Sequence, residues 1–457
     1  MSQTFHLIEY LTVNRDRGIL IWILNIGAEK YWNRVHAGIV DRSEEMTVNR
    51  VEEMNLLLCR EQDVLILRER PSESYLAHLK RLGFATPTIL VPEETDPLTP
   101  ISELVLKDEQ LQKTLSNIAK DADDVYFVPY AVTHLEESIA NNCGLQLVGA
   151  PSGVNAVVND KIFNRHIAEQ LGLDVCQGKV CHSVQEIRDE YERLTNGEQR
   201  FEKIIIKEPH GASGKGLYII ESPEKLSAIL ARLARVARSH EDAKWLVEGW
   251  YLKKADVNYQ IYVAPNGEVD VFSIKQQVLR DTVYIGSKAP AELDEVVLEA
   301  YHDFGKRIGN YLYSIGYSGV AGIDSIITDD DLIIPIIEIN GRFTLSTYIS
   351  FIGHVLGEQR LYSRYFKLVS DSPCDYDELQ RVLQQENILY NQATGEGVLV
   401  YTSATLPLRL DASSGSYTGR LFTLILARDW EGVEAYNERL EHVVQHFASL
   451  RLPASSR

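Results

Sequence analysis

The chain is short of what a nucleic-acid binder, a disulfide-stapled secreted protein or a membrane span needs. Lysine and arginine number 46 against 65 aspartates and glutamates, a formal net charge of -19. A general surface for nucleic acid or anionic lipid is therefore excluded, because such surfaces carry basic excess, and any polyanion has to be met locally. The five cysteines, Cys59, Cys143, Cys176, Cys181 and Cys374, are scattered and odd in number. The step from Cys176 to Cys181 matches no zinc signature, so they read as reduced thiols of a cytoplasmic protein. The most apolar early stretch, GILIWILNIG from Gly18, is too short to span a bilayer and lacks the flanks of a secretory signal. It reads as a buried strand. Internal repeats and low-complexity runs are missing as well.

What is present is a long globular chain. Its 457 residues, 45% hydrophobic, suit about three domains at roughly 150 residues each. Up to about residue 150, the short β-rich runs GILIWILNIG, DVLILRE, TPTILVP, VYFVPY and LQLVGA alternate with amphipathic stretches. That is the pattern of a parallel sheet with crossover helices. The turn Asn25-Ile26-Gly27 has one glycine where a dinucleotide fingerprint needs several, so a plain strand-to-helix connection is expected. From Asp160, DKIFNRHIAEQLG reads as a helix capped by Asp160 and stopped by Gly172. Lys161 falls in its first turn, where an ammonium is unfavourable unless an anion lies nearby.

Next, FEKIIIKEPHGASGKGLYII places two apolar β runs around a loop with Gly211, Gly214 and Gly216, small Ala212 and Ser213, and Lys207 on the entering strand. Glycines at that density let backbone N–H groups cradle phosphate oxygens. It is no Walker A loop, since Lys215 is followed by glycine; it reads as a flap between strands. KWLVEGWYLKKADVNYQIYV then predicts a strand, a break at Glu248 to Tyr251 and a second strand with Asp256 and Asn258. Such a break beside apolar side chains can hold a purine edge.

The densest signal is GVAGIDSIITDDDLIIPIIEINGR from Gly319 to Arg342. Its Ile-rich runs on either side of Asp329-Asp330-Asp331 predict a hairpin. A turn centred on Asp330 pairs residue 324 with 336, and strand parity then puts Glu338 and Asn340 on the face of Asp324. Two carboxylates and a carboxamide are hard ligands suited to Mg²⁺, and Arg342 brings a permanent forked cation. For the hairpin alone, a solvated acidic rim is an equal alternative.

In this order, Lys161, Lys207, the glycine flap, the VEGW hinge, Asp324 and the E-x-N-x-R of Glu338, Asn340 and Arg342, the chain resembles the ATP-grasp superfamily of carboxylate-amine ligases over roughly residues 155 to 355. The resemblance implies an α/β and α+β architecture: a Rossmann-like pre-ATP-grasp domain (1–155), a lid subdomain with the glycine flap (156–245), a large antiparallel catalytic subdomain (246–370) and a small α+β extension (371–457). It implies ATP with two Mg²⁺ ions, Mn²⁺ being an acceptable substitute. Lys161 and Lys207 match the phosphate-binding lysines, and His210, Gly211, Ala212, Ser213, Gly214 and Gly216 the loop over the triphosphate. Glu248, Gly249 and Tyr251 match the adenine hinge, and Asp256 the ribose contact. Asp324, Glu338 and Asn340 match the metal ligands, and Arg342 the arginine that steadies the transferring phosphoryl group. Arg280, on a strand that commonly faces the acyl substrate, is the candidate for gripping a carboxylate; a surface charge is the competing reading.

The chemistry so implied is formation of an acyl phosphate from an amino-acid-like carboxylate and its capture by an amine, giving an amide, ADP and phosphate. The tail RFTLSTYIS departs from biotin-dependent carboxylases, and the nearer likeness is to microbial peptide ligases that make dipeptide antibiotics or toxins. Small-molecule partners are expected, with neither nucleic acid nor membrane. The C-terminal part either completes the acceptor site or forms a homodimer interface. Two rivals stand: loading of a carrier-protein thiol, and a catalytically silent nucleotide-binding regulator.

Overall fold

The computed structural model describes residues 18–32, 42–197, 200–211, 216–239, 243–280, 283–357, 359–411 and 415–447. All five early β-rich runs are strands of one parallel sheet, ordered β3-β2-β1-β4-β5: β1 (Ile19–Ile23), β2 (Val64–Ile66), β3 (Thr88–Leu90), β4 (Val125–Pro129) and β5 (Gln146–Leu147). β1 is central and nearly buried throughout, which is why it reads as a continuous apolar run rather than an alternating one. The turn after it is structural. Asn25 donates Nδ2 to the carbonyl of Ala131 at 2.8 Å and accepts the Ala131 N–H at 3.0 Å, stitching the ends of β1 and β4 together.

A second, antiparallel sheet, ordered β6-β9-β7-β8, contains β6 (Gly178–Cys181), β7 (Ile204–Lys207), β8 (Leu217–Ile220) and β9 (Trp245–Gly249). Helices Val184–Asn196 and Pro223–Ser239 belong to the same core, in which Ile187, Leu194, Leu226 and Leu233 join Ile204, Ile206, Trp245 and Val247. The glycine loop joins β7 to β8; its Ala212, Ser213, Gly214 and Lys215 lie outside the described residues.

The third sheet has nine strands: β10 (Lys253–Val263), β11 (Val269–Arg280), β12 (Val283–Ala289), β13 (Gly319–Thr328), β14 (Ile333–Asn340), β15 (Arg360–Ser370), β16 (Gly397–Val400), β17 (Leu410–Asp411) and β18 (Ser416–Ala427). They are ordered β14-β13-β10-β11-β12-β15-β18-β16, with β17 beside β18. The strands beyond residue 371 therefore extend the sheet that carries the hairpin. One face of it is covered by helix Glu295–Ser314, which approaches closely because Gly305 and Gly309 face Val271 and Val269; a Cβ on either glycine would come within 2.4 Å of a valine methyl. The opposite face carries Asn258, Asp324 and Glu338.

Candidate functional site at the acidic hairpin

The hairpin turns at Asp330, with Thr328 N–H donating to Leu332 O, but its register differs from the simple count. Ile326 pairs with Ile334, yet Asp324 pairs with Glu338 rather than residue 336, and Gly322 with Asn340. The two extra residues of β14 fall in the interval 335–337, which begins at Pro335, a residue with no N–H to give the ladder. Because the slip is two residues, parity survives. Asp324, Glu338 and Asn340 share one face, and the two carboxylates are direct cross-strand neighbours.

That face continues across the sheet, since Asp324 pairs with Asn258 and Asn258 with Lys275. Asp324 accepts from Asn258 Nδ2 at 2.8 Å, Gln277 Nε2 at 2.7 Å and Asn340 Nδ2 at 3.3 Å. Gln260 passes the network on: it donates to Asn258 Oδ1 and accepts from the Thr347 hydroxyl, in the first turn of helix Leu345–Leu356. Burial, then the opposing Glu338, push the Asp324 carboxyl up to about 6, against the pull of the Asn258 and Gln277 bonds. Two facing carboxylates with a carboxamide beside them form an oxygen donor set that a hard divalent cation satisfies. Among the described residues, no group of three or more His, Cys, Asp or Glu is placed to hold a metal ion, so the third donor beside the two carboxylates is the Asn340 carboxamide.

Lys161 reaches this site from the helix Lys161–Gln170. Asp160 caps that helix, accepting from the N–H groups of Ile162 and Phe163, and Asn164 fastens it to β14 by accepting the Ile339 N–H at 2.7 Å. The buried Lys161 ammonium donates to Glu338 Oε1 at 2.9 Å and to the Gly211 carbonyl at 2.8 Å. Lys207 is buried too and ion-paired with Glu248 at 2.7 Å. Burial pulls its pKa down, but Glu248, Cys176 and Glu338 together pull harder and the net shift is upward. Arg342, 8% exposed, donates Nη1 to the Tyr130 hydroxyl at 2.9 Å and to the Phe343 carbonyl, and its charge favours the ionised form of Asp324.

Several expected placements need correction. Strand β9 continues through Glu248 and Gly249, so the break falls later, before Lys253. The Glu248 carboxylate is committed to Lys207 and to Arg165 Nη1 at 3.0 Å; the Gly249 N–H donates to Gln177 O and its α-carbon abuts the Phe201 ring. Neither that carboxylate nor that N–H is open to an adenine edge. Tyr251 packs on Phe201, ring centres 5.0 Å apart, and its hydroxyl accepts the Gln177 N–H. Asp256 lies on the face of Asn258, held by Lys253. Arg280 does not join the site: it is exposed at the end of β11 and its charge is felt by Tyr362, which pairs with Lys288 and through it with Gln276. That row lies on the face opposite Asp324. His210, Gly211 and Gly216 flank the loop residues that lie outside the described set. Sequence reasoning missed Tyr130, Arg165, Gln260 and Gln277. Only the strand group carried a signal, the polar alternation of Asp256, Asn258 and Gln260 along an otherwise apolar strand.

Comparison with known proteins matches residues 51–145 to a pre ATP-grasp domain, 166–346 to an ATP-grasp domain and 378–440 to a PGM1 C-terminal domain. A curated relative, the [Butirosin acyl-carrier protein]--L-glutamate ligase of Niallia circulans, is 24% identical over 441 residues, 93% of this chain and 94% of its own length. Among solved structures, an N5-carboxyaminoimidazole synthetase from Staphylococcus aureus complexed with ADP is 12% identical, covering 93% of this chain and 98% of that one, with a TM-score of 0.53. The biotin carboxylase domain of the Hydrogenobacter thermophilus 2-oxoglutarate carboxylase, in complex with MgADP, is 14% identical, covering 93% and 89%, with a TM-score of 0.55. These two likenesses concern the fold. No helix among the described residues is long and apolar enough to cross a membrane.

Proposed function

The chain belongs to the ATP-grasp proteins, with a pre-ATP-grasp domain ahead of the ATP-grasp domain, and from that premise we propose that it is an ADP-forming ligase that activates an amino-acid-like carboxylate as an acyl phosphate and joins it to an amine. The observation that carries this reading is the cross-strand pair Asp324–Glu338, with Asn340 in the next row and Lys161 and Arg342 beside it.

In the reaction, a carboxylate oxygen of the acid bonds to the γ-phosphorus as the bond to the departing ADP oxygen breaks. Lys161 holds phosphate oxygens, Lys207 reaches them with the N–H donors that its ion pair with Glu248 leaves over, and Arg342 balances charge that builds on the transferring group. Asp324, Glu338 and Asn340 would hold Mg²⁺, which would supply positive charge against the phosphoryl oxygens. The amine nitrogen then attacks the acyl carbon, phosphate leaves, and the nitrogen gives up its proton. Water has to be kept from the mixed anhydride until the amine arrives. No side-chain nucleophile is required. An ADP-release assay over acids, L-glutamate first, with hydroxylamine as trap tests it: acid-dependent ADP and a hydroxamate are expected, and ADP release indifferent to every acid would sink it.

A second acceptor is favoured by one observation. The relative covering 93% of this chain is named for joining L-glutamate to an acyl-carrier protein, so a carrier thiol stands as the alternative nucleophile. Intact-mass analysis of a phosphopantetheinylated carrier decides between them: a gain of one acyl mass, with free amines silent, replaces the amine reading.

A further inference from the structure

We propose that Lys161 gates the metal site: in the nucleotide-free chain its ammonium occupies the place at Glu338 that a metal needs, and it gives that place up only to a phosphate. The inference rests on the nucleotide reading above. Glu338 Oε1 lies 2.9 Å from Lys161 Nζ, and Lys161 is 3% exposed. The ammonium is placed rather than drifting, because Asp160 caps its helix, Asn164 pins that helix to β14, and the Lys161 backbone N–H donates to the Pro209 carbonyl at 2.8 Å.

Without this cation the empty site would hold Asp324 and Glu338 as facing like charges on adjacent strands, an arrangement that destabilises. With it, one of the two carboxylates is neutralised and taken. A phosphate oxygen offers Lys161 the same charge and the same hydrogen-bonding capacity as Glu338 does, so the ammonium changes partner without ever being left buried and unpaired. Glu338 is then released and would be free to serve as a metal ligand. Metal alone and nucleotide alone must each break the pair unaided. Together they break it once, which makes their binding mutually reinforcing, and by linkage the effect is reciprocal.

Two measurements test the claim without turnover. In the first, Mn²⁺ is titrated into the nucleotide-free chain and free ion is followed by electron paramagnetic resonance. Lys161→Met is expected to bind Mn²⁺ about tenfold more tightly than the native chain, the worth of one modest ion pair, and the tightening of Mn²⁺ by added ADP shrinks by the same factor. In the second, ADP is titrated calorimetrically with all divalent metal chelated. Glu338→Gln is expected to bind ADP more tightly than the native chain, because Lys161 is free to meet phosphate. That second result separates gating from a mere loss of positive charge, and it stands if the lysine variant folds poorly. Equal or weaker Mn²⁺ binding by Lys161→Met, or metal-free ADP binding no tighter in Glu338→Gln, overturns the gate. A native chain that ignores ADP even with metal present defeats the functional reading instead, and the Mn²⁺ comparison still decides the gate.

Discussion

Two buried lysines serve the same candidate site in different ways. Lys207 on the four-stranded sheet and Lys161 beside the hairpin each meet a carboxylate, at 2.7 Å and 2.9 Å. The surroundings differ. Glu248 is as dry as Lys207, with side chains 5% and 6% exposed, and is gripped a second time by Arg165; Glu338 is 22% exposed and faces Asp324. The first pair is a strut, costly to open because it would strand charges in a dry place. The second is an exchangeable contact beside a rival carboxylate. Burial of a charge therefore does not say whether it holds the fold or waits for a ligand; the number of partners on the far side does.

The comparison breaks first, and most visibly, at the carboxylates. Glu338→Gln should fold normally and lower acid-dependent ADP release by more than about a thousandfold, as loss of a charged metal ligand at the reacting phosphoryl group implies. Near-native turnover would remove Glu338 from the machinery. Glu248→Gln should act on stability instead. It leaves Lys207 and Arg165 facing a neutral amide, and the denaturant midpoint should fall by the equivalent of about 2–4 kcal/mol. An unchanged midpoint would mean that the Lys207–Glu248 pair is no strut.

The distinction was only half legible in the sequence. Parity placed Asp324, Glu338 and Asn340 on one face, and Asp160 announced its helix, because period-two alternation and caps are local. The pairing of Asp324 with Glu338 depended on the interruption at Pro335, which shifts register without changing parity. Glu248 looked like a hinge residue because its partners, Lys207 and Arg165, are 41 and 83 positions upstream and nothing local marks them. Arg280 was misplaced for the same reason: the face of a strand residue is settled by its neighbours across the sheet. The C-terminal strands, which read as a separate extension, complete a sheet begun more than a hundred residues earlier.

A third buried lysine sharpens the contrast by having no carboxylate at all. Lys275 shares the face and row of Asn258 and Asp324, is fully buried, and its Nζ finds no hydrogen-bond partner among the described residues. Burial pulls its pKa down to about 7. Between that value and the ordinary lysine value, the unfolded chain holds a proton the folded one has released, so stability should rise with pH from about 7 towards 10. Lys275→Met should remove that slope and raise stability at pH 7 by roughly 4 kcal/mol. Denaturant melts at pH 7 and pH 9 check both points, and a variant weaker at pH 7 would show that the ammonium has a partner in solution.

The smallest effect belongs to a contact between the end of β4 and the end of β14. Tyr130, just past the end of β4, takes a hydrogen bond from Arg342 on its hydroxyl and one from the Phe343 N–H on its carbonyl. The guanidinium lies 5.1 Å from the centre of its ring, and that ring stacks on Tyr348 at 6.5 Å. Tyr130→Phe keeps the stack, the cation–π contact and the backbone bond, and deletes one of the two oxygens that receive Arg342 Nη1, the other being the Phe343 carbonyl. If Arg342 acts on the transferring group, losing its orientation should lower kcat about five- to tenfold, the worth of one charge-assisted hydrogen bond. The KM for ATP and the melting temperature should stay nearly unchanged, because the lysines that hold phosphate and the packing around Tyr348 are untouched. A rise in the KM for ATP matching the fall in kcat would place Arg342 in ground-state nucleotide binding, making it a third phosphate cation beside the two lysines rather than a group reserved for the reacting centre.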